Sequence, residues 1–135
     1  MTRINLVNPS ELTDQHLIAE YREIFMVGSS LQRSIKSKNW EKTLTNIPKK
    51  YTLNKGHVTF FYNKGKYLYK RYDLLINEMK NRGMKPDSER KFKTEQWPKG
   101  LFNDWEPEAD DYKIIRARIK EKLEMKPDWY RFSKS

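Results

Sequence analysis

The sequence predicts an all-α fold, a single compact domain over residues 1–135 with three principal helices and long ordered loops. Three observations predict it. Apolar residues recur at alternating steps of four and three in two stretches, helix start and stop residues flank those stretches, and the single β-prone run has no partner strand. A chain of 135 residues buries roughly two-thirds of the surface its unfolded form exposes, enough for a core without cross-links. With no cysteine, disulfide scaffolds, cysteine-based zinc sites and thiol catalysis are excluded. There is no apolar run of about 18 residues or more, and Met1 to Asn5 lacks a signal-peptide core, so the expectation is a soluble intracellular protein without a membrane role.

After a short extended arm, Asn8-Pro9-Ser10-Glu11 reads as a helical turn, with Asn8 as cap, Pro9 at the first helical position and Glu11 reaching back to the cap. Thr13 or Asp14 then opens a helix expected over about 14–37, in which Leu17, Tyr21, Ile24, Gly28, Leu31 and Ile35 face the core. Gly28 predicts a bend or a close helix contact. From Lys38 to Lys55 the pattern gives way to polar and basic residues around Trp40, Ile47 and Pro48, too long for a bare connector and expected to be a functional loop or ordered surface excursion. Gly56 to Tyr62 is expected to be an extended or turn-like core segment, with His57 a satisfied core histidine. Leu68, Tyr72, Leu75 and Met79 mark a second helix over about 65–82, closed by Lys80 and Arg82 in its last turn and by Gly83. Residues 84–106 read as irregular, punctuated by Pro86, Pro98 and Gly100 and anchored by Trp97 and Trp105. Glu108, Asp110 and Asp111 suit the positive end of a third helix, which ends near Lys126 because Pro127 disfavours helical geometry before it.

Twenty-eight Lys and Arg against 18 Asp and Glu give a net charge of +10, and 13% of residues are aromatic. That combination favours polyanions and supplies flat faces for stacking on bases, so nucleic acid is the leading partner class. About five phosphate contacts would give a log-log salt slope near −4.5. For chemistry, removal of Met1 would leave Thr2 with a free α-amine, whose ordinary pKa of about 7.7 to 8 makes it the best uncharged nitrogen nucleophile available without burial. Arg3 stands beside it. His16, Glu20 and Glu23 share one face of the first helix. A carboxylate such as Glu23 next to a neutral amine suits imine chemistry; the same face could instead be merely solvated or hold a metal, as in a metal-dependent nuclease. On the third helix Arg118, Lys122 and Lys126 form a ridge that can grip phosphates, while Trp129 and Tyr130 beyond it contact bases or sugars. A solvated basic helix face is the alternative there, and a non-catalytic basic helical nucleic-acid-binding protein is the alternative for the whole chain.

Met1 to Leu6 (MTRINL), Ser10 to Leu12 (SEL), Asp14 to Leu17 (DQHL), Ala19 to Glu23 (AEYRE), Gly56 to Tyr62 (GHVTFFY), Ala117-Arg118, Glu121-Lys122, and Pro127 followed by Trp129-Tyr130 occur in this order. In these motifs and their spacing the chain resembles the pyrimidine-dimer DNA glycosylase family, whose members include endonuclease V of the T-even phages and a chlorella-virus enzyme. Residues 38–55 and 84–106 match poorly. The resemblance implies a monomeric all-α enzyme without metal or cofactor that acts on double-stranded DNA containing ultraviolet photoproducts, virus-encoded and working in the infected host cell. It implies that Thr2 attacks the sugar of the 5′ pyrimidine of a cyclobutane dimer to form an imine, and that Glu23 assists and then promotes strand nicking by β-elimination. It also implies that Arg3, Arg22, Arg118 and Lys122 hold phosphates or the lesion, that His16 stands at the active-site face, and that a base opposite the lesion is extruded as the duplex kinks. One departure is Met26, where the phage pattern has arginine; altered affinity or lesion range is expected there.

Overall fold

Helical geometry satisfies the backbone within each segment, and in the computed structural model, which describes residues 3–133, every regular element among the described residues is helical. The helices are α1 (Asp14–Glu23), α2 (Phe25–Ile35), α3 (Trp40–Thr45), α4 (His57–Phe60), α5 (Gly65–Asn81) and α6 (Ala109–Met125), with 3-10 turns at Pro9–Glu11, Phe61–Asn63 and Thr94–Gln96. Among the described residues, no helix is long and apolar enough to cross a membrane.

The expected first helix is present as two. Its apolar stripe is buried from Leu17 to Leu31, but the turn falls at Ile24, where Val27 N–H bonds back three residues to the Ile24 carbonyl (3.4 Å), and not at Gly28. Gly28 instead lets the later loop approach: a Cβ there would lie 2.3 Å from Gln96 Oε1. The Lys38–Lys55 excursion contains α3 and is pinned by Trp40, Ile47 and Leu53 against the core. Residues 57–63, expected to be extended or turn-like, form short helical turns, α4 and the 3-10 turn after it. A lone strand would leave its amides unpaired, whereas Phe60 N–H bonds Gly56 O (2.8 Å) and Lys64 N–H bonds Phe61 O (3.0 Å).

The end signals act largely as the sequence predicts. Asn8 accepts the Ser10 amide (3.0 Å), although Glu11 pairs with Arg116 (3.1 Å) rather than returning to the cap. Thr13 caps α1 through the His16 amide (3.1 Å). Helix α5 stops where Gly83 adopts φ +79°, so that Met84 N–H reaches Met79 O (2.9 Å) and Gly83 N–H reaches Lys80 O (3.0 Å). Glu108 and Asp111 form a reciprocal capping box on α6.

The long loop after α5 is ordered because Trp97 is buried against α5. A Cβ on Gly65 would meet Trp97 Cδ2 at 2.7 Å and Phe102 Cδ1 at 2.9 Å, and a packed indole has no slack to give. Gly65→Ala should therefore cost about 1–3 kcal/mol of stability, read as a lowered urea midpoint with unchanged m; an unchanged midpoint would show that the loop repacks freely.

His57 is the satisfied core histidine the sequence suggests. It is buried, its Nε2 accepts the Ile4 amide (2.8 Å), and its Nδ1–H donates to the Thr52 carbonyl (2.8 Å). Burial pushes its pKa down to about 4 from the ordinary 6.5, so below pH 6.5 the unfolded chain takes up a proton that the folded one resists. Stability held above pH 6.5 should fall by about 3 kcal/mol as the pH drops through 4. Urea titrations at several pH values should show that fall, flattened in His57→Gln; an equal fall in that variant would assign it to other groups.

Candidate active site

Two charged residues interrupt the apolar stripes: Glu20 between Leu17 and Ile24, and Arg71 between Leu68 and Leu75. They meet in the interior, only 1% and 2% exposed. Arg71 Nε donates to Glu20 Oε2 (2.6 Å) and Nη2 to Oε1 (2.9 Å), while Nη1 donates to the carbonyls of Leu6 (2.9 Å) and Val7 (2.5 Å). Glu20 Oε1 also accepts both the backbone N–H (3.1 Å) and the side-chain amide (3.0 Å) of Asn5. This network clamps the N-terminal arm and holds Leu6 at φ +59°, a left-handed conformation that branched apolar residues rarely adopt. Glu20 is thus neither solvated nor open to a metal; its carboxylate is committed to Arg71 and Asn5. Among the described residues, no group of three or more carboxylates and histidines is arranged to hold a metal ion.

The clamped arm delivers Arg3 to a cleft of about 240 Å³ between α1 and α6, where the structure brings together Arg3, His16, Glu23, Arg118, Lys122 and Tyr130. Burial pushes the Glu23 carboxyl above its ordinary pKa, opposed by the Arg3 guanidinium and by a hydrogen bond from the Arg3 amide. Burial also holds the Arg3 pKa below its usual value, reinforced by the nearby Arg118 charge. With Glu20 committed to Arg71, Arg3, Arg118 and Lys122 outnumber the Glu23 carboxylate that faces the cleft with them, and this excess of positive charge favours a phosphate there. His16 is likewise shifted down, by burial first and then by Lys122 and Arg3, which favours its uncharged form.

One wall of the cleft is made by the chain beyond α6. Tyr130 stacks on His16 with ring centroids 4.8 Å apart and an interplanar angle of 6°. Gln15 fixes the backbone on both sides of that tyrosine, its amide donating to Trp129 O (2.6 Å) and its carbonyl accepting Arg131 N–H (3.0 Å). Asp14 N–H bonds Arg131 O (2.6 Å), and the Asp14 carboxylate accepts the Ser133 amide (3.0 Å). One helical turn therefore holds the whole strap.

The other predicted residues stand apart. Thr2, the expected nucleophile, lies outside the described residues. Arg22 is exposed and does not line the cleft; its carbonyl accepts Arg90 Nη2 (2.8 Å), whose guanidinium lies 3.9 Å from the Phe25 ring centre. Lys126 closes α6 outside helical geometry, with its ammonium 5.5 Å from the exposed Trp129 ring, which in turn meets Tyr130 edge-on at 4.9 Å. These two form an outer rim, since the helix ends before a third ridge residue can project with Arg118 and Lys122. Met26 is 52% exposed. Sequence reasoning missed Asn5, Gln15 and Arg71. For Arg71 a signal existed, a charge on a buried stripe four residues before Leu75; Asn5 and Gln15 carry none.

A family model described as pyrimidine dimer DNA glycosylase matches residues 1–92 of the chain. The match spans the arm, α1 and α5, hence Arg3, His16, Glu20, Glu23 and Arg71, and stops before the α6 side of the cleft.

Proposed function

The chain belongs to the pyrimidine dimer DNA glycosylase family, and from that premise we propose that it is a bifunctional glycosylase and abasic-site lyase using its N-terminal amine and Glu23. The observation that carries the reading is the cleft itself, in which the Glu23 carboxyl and the cations Arg3, Arg118 and Lys122 converge beside the arm that begins the chain. After loss of Met1, the uncharged Thr2 amine attacks C1′ of the 5′ pyrimidine nucleotide of a cyclobutane dimer. The N–C1′ bond forms, the glycosidic bond breaks, and its electron pair leaves with the base, which takes a proton. Loss of the amine proton and opening of the sugar ring give an imine. Glu23, whose carboxyl burial pushes above its ordinary pKa, handles these transfers. It then removes a C2′ proton, and the C3′–O bond breaks with phosphate departing on the 3′ side. Arg3, Arg118 and Lys122 hold the backbone phosphates near the reacting sugar, and the His16–Tyr130 stack offers a flat wall to the lesion. The amine and carboxylate carry the whole sequence without a metal or cofactor, on double-stranded DNA and in a monomer.

The test is borohydride trapping on an irradiated duplex with EDTA present, followed by peptide mapping. An adduct on the Thr2 amine is expected. An adduct on a lysine would move the nucleophile, and no adduct from protein that lacks Met1 and binds the duplex would sink the imine mechanism.

A further inference from the structure

The helix and strap that supply the cationic side of the cleft are almost neutral overall: from Glu108 to Ser133 there are seven basic and six acidic residues. The excess charge lies elsewhere. Residues 36–55 hold Lys36, Lys38, Lys42, Lys49, Lys50 and Lys55 against one acid, Glu41, a net +5 of the chain's +10. All six lysines are exposed, and among the described residues none of them forms an ion pair. Their support is rigid, because Trp40, Ile47 and Leu53 pack on the core and Tyr51 O–H donates to Ile4 O (2.8 Å), one residue from Arg3 in the cleft. Lys49 and Lys50 face Glu108, Asp110 and Asp111 across a separate cavity of about 380 Å³, which offsets part of their charge. The other four do not line it.

We infer that residues 36–55 form a second duplex-binding surface, contacting backbone phosphates without reading the lesion, and that this surface rather than the cleft supplies most of the salt-dependent attachment to undamaged DNA. The physical basis is counterion release: each phosphate neutralised adds about 0.9 to the log-log salt slope, and exposed unpaired lysines on an anchored platform gain this at little desolvation cost. The inference rests on DNA being the substrate and is independent of which group attacks the sugar.

The experiment compares Lys36→Gln/Lys38→Gln/Lys42→Gln/Lys55→Gln with a charge-matched control, Lys66→Gln/Lys99→Gln/Lys113→Gln/Lys120→Gln, all at exposed positions. Binding to undamaged duplex is followed by fluorescence anisotropy across a salt series. The first variant should lose about 1.8 to 3.6 from the slope, corresponding to two to four contacts, and the control less than one contact's worth. Single-turnover base release from a short dimer-containing duplex at saturating enzyme should stay within about twofold of wild type in both, so a failure of the catalytic reading shows separately. An unchanged slope in the first variant, or an equal loss in the control, overturns the inference.

Discussion

Glu23→Gln is expected to lower single-turnover base release from a dimer-containing duplex by about 10²- to 10⁴-fold, the range for losing a positioned proton carrier. The amide keeps the size of the carboxyl, and Glu23 takes no part in the buried ion network, so folding should be unaffected. Binding should hold or tighten, because Arg3, Arg118 and Lys122 remain and a negative charge has left the cleft. Loss of rate without loss of affinity separates chemistry from recognition. The wild-type pH profile gives a second readout: with its pKa raised by burial, Glu23 loses its carboxylate form at a higher pH than an ordinary glutamate. Because the amine must also be uncharged to attack, wild type and Glu23→Gln should both lose rate as the pH falls below the amine's ordinary pKa of about 7.7 to 8, and only wild type should show a further, steeper loss at lower pH as the Glu23 carboxylate takes up its proton. A variant with near-wild-type rate would remove Glu23 from the mechanism.

The largest effect on stability is expected at Arg71. Arg71→Met leaves the Glu20 carboxylate buried without its guanidinium and strips hydrogen bonds from the Leu6 and Val7 carbonyls. Removing one partner of a buried pair costs about 3–5 kcal/mol, more than the pair itself contributes, because the remaining charge keeps its desolvation penalty. Glu20→Leu/Arg71→Met removes both charges and should recover part of that loss, but not all, since the arm's carbonyls and the Asn5 amide still lack partners. Urea unfolding of the two single variants and the double gives the coupling directly, and strict additivity would contradict a working pair. Because this pair also sets the arm that carries Arg3, Arg71→Met should lower base release at temperatures where it is still folded.

What could be read from the sequence and what could not divides along local and non-local physics. The all-α class, the ends of α5 and α6, the Asn8 and Thr13 caps and the buried stripes rest on the spacing and chemistry of residues within a turn or two of each other, and those signals are complete in the chain. The same local reading places His16 and Glu23 on one helix face and Arg118 and Lys122 on another. Segment 57–63 takes the turn-like of the two forms expected for it, as short helical turns, because no neighbouring strand exists among the described residues to receive its amides, and its β-prone side chains report packing. Gly28 serving as a passage for the later loop depends on where Gln96 and Trp97 arrive from some seventy residues away.

The cleft belongs to the second category. Glu20 and Glu23 are three residues apart and chemically alike, yet Glu20 meets Arg71 in the interior while Glu23 remains at the cleft with its pKa raised. Only the packing of α1 against α5 separates their roles, because a carboxylate's function is set by what desolvates it and which cation reaches it. The sequence by itself determined the helices, the charge and the kinds of group available. The tertiary structure decided which charges neutralise one another in the core and which are left to face DNA, since that choice depends on distances that no local pattern encodes.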